Sequence, residues 1–205
     1  FGAARLYRWA STLPRNTRII IRLFYRKDTC MRNLHLIKPG DVCAEVGVWK
    51  GEFSHYILQR QPSKLHLIDP WLHQDFPVDN PEDLRIYCCG QEQMDKIYDD
   101  VISMFDHFQN TEIHRSFSVD VDFPEDYFDW VYIDGNHSYE NVLEDLWHYY
   151  KSMKSGGFLC GDDYGDNDEH DPYSNGGPKR AVKEFTEATG LGVEINGSQF
   201  VIRIP

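Results

Sequence analysis

The chain has 205 residues, of which 41% are hydrophobic and 14% aromatic, and its formal net charge is -12. A chain of this size and composition can bury the core of one globular domain. The large negative charge argues against nucleic acid as the main partner.

The five cysteines are odd in number and form no CxxC pair. This pattern favours free thiols in a reducing compartment, and we expect a cytoplasmic protein. No apolar run is long enough to span a membrane, and no secretory signal is recognisable. The first residue is Phe1 and not methionine, so we expect that the natural chain begins before it.

The first 38 residues are basic and helical in pattern, and we predict a cap over 1–38 in front of one domain over 39–205. Arginines recur at three- and four-residue spacing beside an apolar stripe, at Arg15, Arg18, Arg22 and Arg26. One interpretation is a helix packed on the domain with its arginines in water, which we favour. The other is an amphipathic helix that contacts an anionic surface, substrate or partner through residues 15–26.

The stretch AEVGVWKGEFSHYIL, residues 44–58, predicts a buried strand, a glycine turn and the start of a helix. Gly47 and Gly51 have no Cβ, so their backbone can approach a ligand. Glu45 supplies an acceptor near the end of the strand, and the helix directs its free N–H groups at the turn. Ligands bind at such strand ends in open α/β sheets. The alternative is that the glycines only turn the chain.

A second strand is predicted over Lys64–Asp69. Its last residue, Asp69, follows the glycine turn by about 20 residues, the spacing at which an acid accepts hydrogen bonds from ribose hydroxyls. Capping of the strand end is the alternative role for this aspartate.

An irregular segment over 70–90 follows, and its length predicts a lid or a binding loop. The apolar spacing then predicts a helix from Gln91 to about Phe108. A third strand over 112–116 would place Ser116 and Phe117 at the ligand edge of the sheet.

Two further strands end in aspartates. Trp130–Ile133 predicts a buried strand that ends at Asp134, and Ser138 can cap the helix that follows. Phe158–Gly161 predicts the next strand, which leads into the pair Asp162-Asp163.

An acidic loop over 166–177 comes next, and its spacing does not fit a calcium-binding loop. Pro178 begins the last predicted helix. Two strands, 193–195 and 199–204, close the chain as a hairpin around Asn196-Gly197.

With these pieces in this order, the chain resembles class I S-adenosylmethionine-dependent methyltransferases. It is similar to the branch of macrocin-type sugar O-methyltransferases and, more distantly, to catechol O-methyltransferases. The segments that carry the resemblance are EVGVWKG, LIDPW, VYIDGNHSYENVLEDL, GGFLCGDDY and GPKRAVKEF, within about residues 40–205. The resemblance implies an α/β, Rossmann-like class I methyltransferase fold: a doubly wound, mostly parallel, seven-stranded sheet with a C-terminal antiparallel hairpin.

The resemblance implies S-adenosylmethionine as the cofactor. It assigns the glycine turn to the methionine end, the acid after the second strand to the ribose and the residues after the third strand to the adenine, and it sets the acid after the fourth strand beside them. The residues at these positions are Glu45, Gly47, Gly51, Asp69, Ser116, Phe117 and Asp134.

Metal-dependent relatives place a divalent cation at positions that match Asp134, Asp162 and Asp163. Hard carboxylate oxygens suit Mg²⁺ or Ca²⁺, and capping of helices and loops is the alternative. His137, close after Asp134, is predicted to take the proton of an acceptor hydroxyl. Helix capping or core packing is its alternative role, and His170 is a second candidate base.

We therefore expect an O-methyltransferase that acts on a hydroxyl of a small polar acceptor, such as a sugar or polyol-like group, assisted by a divalent metal and a histidine base. One alternative is a catalytically inactive methyltransferase-like binding scaffold. The other is a nucleotide-cofactor oxidoreductase, which the spacing of Gly47 and Gly51 disfavours because it is not GxGxxG. The expected partner is a small molecule and not nucleic acid, and a homo-oligomer is compatible with the sequence.

Overall fold

The computed structural model describes residues 31–73, 90–165 and 176–205. The arginine stripe over 15–26, most of the 70–90 segment, and His170 with most of the acidic loop lie outside the described residues. Within the three described ranges, no helix is both long and apolar enough to cross a membrane.

The described strands form one seven-stranded sheet in the order β3-β2-β1-β4-β5-β7-β6. The first five strands run parallel to one another, whereas β7 is antiparallel to both β5 and β6. This architecture confirms the predicted Rossmann-like fold with its C-terminal hairpin. The strands are β1 (Val42–Val46), β2 (Lys64–Asp69), β3 (Thr111–Arg115), β4 (Phe128–Ile133), β5 (Met153–Gly161), β6 (Val193–Asn196) and β7 (Gln199–Arg203).

The described residues also form four α-helices and two short 3-10 helices. The Ser138 hydroxyl caps the third α-helix by accepting a hydrogen bond from the backbone N–H of Asn141 at 3.3 Å, as predicted. The fourth carries Pro178 in its first turn and ends at Gly190, whose φ of 73° suits the left-handed cap. The α-helices are α1 (Glu52–Leu58), α2 (Gln91–Phe105), α3 (Tyr139–Tyr150) and α4 (Gly177–Thr189), and the 3-10 helices are Met31–Leu36 and Ser118–Asp120.

Helices cover both faces of the sheet, which explains why its central strands are mostly apolar. Side chains alternate between the faces along β4. Trp130 and Tyr132 pack with the α1 and α2 side, whereas Val131 and Ile133 pack with α3 and α4. Leu34, near the end of the predicted cap, is buried on the same face of the sheet as Trp130 and Tyr132.

The ends of some elements differ from the predictions. We predicted that the fifth strand begins at Phe158, but β5 begins at Met153 and runs through Gly156 and Gly157. A register shift between β4 and β5 accommodates the extra residues, and Gly156, with a φ of 82°, supports the irregular backbone. Helix α2 ends at Phe105 and not at Phe108, and Ser116 follows β3 instead of closing it.

Cys43 and Cys160 are fully buried free cysteines in β1 and β5, as predicted for small apolar residues. Burial raises the pKa of both thiols, which keeps them uncharged and unreactive.

Candidate active site

The carboxyl ends of β2, β1, β4 and β5 lie side by side at one edge of the sheet. Backbone hydrogen bonds join each to the next: Gly47 donates to Ile68 at 2.9 Å, Asp134 donates to Val46 at 2.8 Å, and Asp162 donates to Ile133 at 3.1 Å. The strand order reverses between β1 and β4, and ligands bind at such reversals in doubly wound sheets. We refer to this place as the strand-end site.

The two glycines of the first turn are required by contacts within the protein. Gly47 has a φ of 89°, and a Cβ there would lie 2.2 Å from the carbonyl oxygen of Asp134. Gly51 has a φ of 72°, and a Cβ there would lie 2.5 Å from the ring of Phe105. Tight turning and close packing therefore account for both glycines, and their contact with a cofactor stays a prediction.

Glu45 is buried in β1 and accepts a hydrogen bond of 2.5 Å from the Ser54 hydroxyl. Burial raises the pKa of Glu45 well above its usual value, although the hydrogen bond from Ser54 opposes this rise. The pair ties β1 to α1 beneath the glycine turn. Sequence reasoning missed Ser54, and its signal was a small polar residue one turn before the buried Ile57.

Asp69 lies at the end of β2, as predicted, and holds two loops together. One carboxylate oxygen accepts from the backbone N–H of Trp49 at 2.9 Å, and the other accepts from that of Trp71 at 2.7 Å. Burial raises the pKa of Asp69 while these backbone donors lower it, and the net shift is upward. Asp69 therefore caps the strand end, and because a carboxylate has about four acceptor positions it can accept further hydrogen bonds.

Trp49 and Trp71 both have left-handed backbones, with φ values of 47° and 42°. This conformation is unusual for large side chains and is found mostly where a site imposes it. The Trp71 indole is fully buried and donates to the carbonyl of Trp49 at 2.8 Å. Sequence reasoning did not assign either residue, and the available signal was a tryptophan two residues after Gly47 and another two residues after Asp69.

Ser116 and Phe117 follow β3 at the same edge. The backbone N–H of Ser116 donates to the carbonyl of Asp69 at 3.2 Å, and the Phe117 side chain is 49% exposed. The predicted adenine residues therefore adjoin the predicted ribose residue. Their contact with an adenine ring stays a prediction.

His137 lies between two of the predicted acidic residues. Its Nδ1 is 2.6 Å from Asp163 Oδ2, and its Nε2 is 3.3 Å from Asp134 Oδ1. Burial alone lowers the pKa of His137, but hydrogen bonds to both carboxylates and their charges outweigh burial and raise it well above its usual value. Burial raises the pKa of Asp134 to about 6. The two carboxylates therefore stabilise the imidazolium form of His137.

Asp162, the third predicted metal ligand, is held by a different partner. It is 6% exposed and accepts a hydrogen bond of 2.7 Å from the Ser198 hydroxyl. Ser198 lies in the β6–β7 turn, which reaches this edge because β7 runs antiparallel to β5. Sequence reasoning missed it, although the predicted antiparallel hairpin was a signal for a residue at this place.

The three aspartates reach the same edge, but they do not converge on one point. In the described part of the chain, His66, Glu112 and His114 form the group of side chains whose ligand atoms lie close enough together for one metal ion. The three aspartates do not form such a group. The positive charge among the aspartates is supplied by His137. These residues therefore do not fit the predicted Mg²⁺ or Ca²⁺ site.

A shallow surface groove of about 650 Å³ runs along the outer side of α3, past Val119, Leu143 and Trp147. It does not include the glycine turn or the aspartates, and we do not assign it to the strand-end site.

A family model described as a methyltransferase domain matches residues 44–164, a range that includes Glu45, Asp69 and the three aspartates. Among solved structures, the chain is similar to the N-methyltransferase NodS from Bradyrhizobium japonicum WM9, with 12% identity over 88% of this chain and 97% of that one and a TM-score of 0.62. The complex of NodS with S-adenosyl-L-homocysteine gives 12% identity over 87% of each chain and a TM-score of 0.61.

A SAM-dependent methyltransferase from Aquifex aeolicus is also similar, with 16% identity over 82% of each chain and a TM-score of 0.53. At these identities the solved structures show a shared fold. No curated protein sequence matches the chain.

Proposed function

Because the chain belongs to the methyltransferase-domain family, which its residues 44–164 match, we propose that it transfers a methyl group from S-adenosylmethionine to a hydroxyl of a small polar acceptor. The family match confirms the predicted enzyme class, an S-adenosylmethionine-dependent methyltransferase. The choice of a hydroxyl, and of a sugar or polyol-like acceptor as in the macrocin-type branch, belongs to the proposal.

The observation that carries this proposal is the contact between the glycine turn and the end of β4. The carbonyl of Asp134 fills the space where a Cβ of Gly47 would lie. A ligand held in the turn is therefore beside the cluster of Asp134, His137 and Asp163. In this proposal, the turn that would hold the cofactor lies beside His137, the residue that would accept the proton.

The donor set at the strand-end site suits this cofactor. Carboxylates at Asp69 and Asp134 favour a ligand that carries positive charge and hydroxyl groups. S-adenosylmethionine supplies an electrophilic methyl group on a sulfonium. Asp69 would accept the ribose hydroxyls, and the Glu45–Ser54 pair keeps the turn beneath them in place.

His137 is the group that we propose takes the acceptor proton. As the oxygen–carbon bond to the methyl group forms and the sulfur–carbon bond breaks, the hydroxyl proton passes to Nε2 of the neutral imidazole. Asp163, 2.6 Å from Nδ1, fixes the tautomer that carries its proton on Nδ1 and leaves Nε2 to accept. Since the pKa of His137 is raised, the imidazolium must lose a proton first, so turnover should rise as the pH increases through this raised pKa.

We place no divalent metal in this mechanism, although the sequence predicted one. The carboxylates of Asp134 and Asp163 are directed at His137, and that of Asp162 accepts from Ser198. We therefore expect methyl transfer in the presence of a chelator.

The test combines calorimetry with turnover. Wild-type protein should bind S-adenosylmethionine, and Asp69→Ala should bind it about tenfold more weakly or worse, because charged acceptors contribute roughly 1.5–3 kcal/mol. The control is Asp106→Asn, an exposed acid at the end of α2. Turnover is then measured on a panel of sugars, polyols and amines, with and without chelator.

Each outcome separates the alternatives. Binding of a reduced nicotinamide cofactor in place of S-adenosylmethionine would indicate an oxidoreductase. Normal cofactor binding without turnover on any acceptor would favour the binding scaffold. Turnover that stops with chelator and returns with Mg²⁺ would restore the predicted metal.

A further inference from the structure

A second group of histidines and a carboxylate lies on one face of the β2–β3 pair, at the outer edge of the sheet. In the parallel register, His66 is opposite Glu112 and Ile68 is opposite His114. Residues two apart on a strand share a face, so His66, Glu112 and His114 project together. We call these three residues the β2–β3 cluster.

The ligand atoms of the cluster are close to one another. His66 Nδ1 lies 2.9 Å from His114 Nε2. Oxygens of Glu112 lie 3.9 Å from His66 Nδ1 and 3.7 Å from His114 Nε2. Three ligands around a tetrahedral Zn²⁺ would stand about 3.3 Å apart, given metal–ligand distances of about 2.0–2.2 Å. The observed spacings lie on both sides of that value, so small side-chain movements suffice.

The ring nitrogen of His66 that faces away from the cluster makes a hydrogen bond, as is usual for metal-binding histidines. The residue is 3% exposed, and its Nε2 lies 2.9 Å from the Tyr127 hydroxyl. The ring also packs against Phe123 and Phe128. An outer hydrogen bond to one ring nitrogen fixes the tautomer and directs the other nitrogen at the ligand. In His66 that nitrogen is Nδ1, which faces the other two members of the cluster.

His66 Nδ1 and His114 Nε2 face each other, and a proton or a cation between them would prevent repulsion between their lone pairs. If Nε2 of His66 donates to Tyr127, its Nδ1 carries a lone pair that is directed at His114 Nε2. A proton on His114 would satisfy this contact, and so would a cation bound to both rings. Two imidazoles and one carboxylate are a ligand set for Zn²⁺ and its first-row neighbours, not for Mg²⁺.

Glu112 provides the third ligand and the route of entry. Its side chain is 49% exposed, so a cation can reach the cluster from solvent. Lys64 is 2.7 Å from Oε2 and competes for the carboxylate, but Oε1 faces His114. The carboxylate can thus bind a cation through one oxygen and keep Lys64 on the other.

We propose that the β2–β3 cluster binds a late first-row divalent cation such as Zn²⁺, which joins the edge strand β3 to β2. The site is built from mid-strand residues, whereas the strand-end site is built from residues after the strands. It stands independently of the proposed methyl transfer.

The experiment measures Zn²⁺ affinity of the full chain by competition with a chromophoric chelator, and Co²⁺ absorption as a reporter of nitrogen ligation. Wild-type protein should bind one Zn²⁺ tightly and unfold at a higher temperature with it. We expect His114→Ala to weaken binding by roughly 100-fold or more and Glu112→Gln by about tenfold. The matched control is His107→Ala, an exposed histidine in the turn after α2, which should bind as wild type does.

Glu112 and His114 are partly exposed, so their variants should fold, and circular dichroism without metal checks this. No binding to wild-type protein at Zn²⁺ on the order of 100 µM would overturn the proposal. Equal affinity in wild type, His114→Ala and Glu112→Gln would also overturn it, since the cation would then lie elsewhere.

Discussion

The two histidine–carboxylate groups of this protein are built from the same residue types, but the pKa of the central histidine is shifted in opposite directions in the two groups. At the strand-end site, one histidine is held by two carboxylates, and the pKa of His137 is raised well above its usual value. In the β2–β3 cluster, two histidines share one carboxylate that Lys64 also binds. Burial and the neighbouring His114 lower the pKa of His66 to about 4.

This difference shows that neither burial nor the presence of an acid decides the charge of a histidine alone. Burial disfavours the imidazolium in both groups. Two carboxylates overcome it at His137, whereas one carboxylate that is half exposed and already paired with Lys64 does not overcome it at His66. The two carboxylates beside His137 favour its protonated form, whereas the β2–β3 cluster favours neutral imidazole nitrogens, the form that binds metal ions.

The largest effect should come from removing the histidine of the strand-end site. We expect His137→Ala to reduce methyl-transfer turnover by roughly 100-fold or more, because the acceptor proton loses its base. S-adenosylmethionine affinity by calorimetry should stay close to that of wild type, and the rise of turnover with pH should disappear. His107→Ala is the control, and wild-type turnover in His137→Ala would place the base elsewhere.

The second effect concerns stability at acid pH. Below about pH 6.5 the unfolded chain protonates His66, but the folded protein does so only near pH 4. The free energy of unfolding should therefore decrease by up to about 3 kcal/mol as the pH is lowered from 6.5 to 4. His66→Phe should remove this part of the pH dependence. The contribution of His137 has the opposite sign: it is fully present below about pH 6.5 and is lost as the pH rises.

Urea unfolding with chelator present, from pH 4 to pH 8, measures these slopes. A His66→Phe variant with the wild-type slope between pH 4 and 6.5 would show that His66 is charged in the folded state. That result would remove the difference between the two groups.

The smallest effect concerns a buried acid that has no histidine partner. Asp145 in α3 is 4% exposed and accepts a hydrogen bond from Ser118, and burial raises its pKa to about 7. Because the folded protein holds this proton and the unfolded chain releases it near pH 4, stability is lost as the pH rises towards 7. We expect Asp145→Asn to stabilise the protein at pH 8 by roughly 1–2 kcal/mol.

The free energy of unfolding at pH 8 and at pH 4 provides the measurement, with the exposed Asp106→Asn as control. The gain should vanish at pH 4, where the carboxyl is already neutral. A gain of the same size at both pH values would mean that the charge of Asp145 is not its source.

Local patterns in the sequence predicted most of the fold. The apolar run in β4, the cap at Ser138 and the proline at the start of α4 are short-range signals, and each was confirmed. The resemblance supplied the strand topology. Parallel strands end at one edge, so Asp69, Asp134 and Asp162 had to arrive there together.

Only the tertiary structure decided what these residues do to one another. The register of β1 against β4 set Gly47 against Asp134, and side-chain directions placed His137 between Asp134 and Asp163. The β2–β3 cluster joins residues 48 positions apart in the chain, at a distance that only strand pairing closes. Residue types and strand ends are local properties that a sequence carries, whereas contacts and charge states depend on packing and burial, which exist only after the chain has folded.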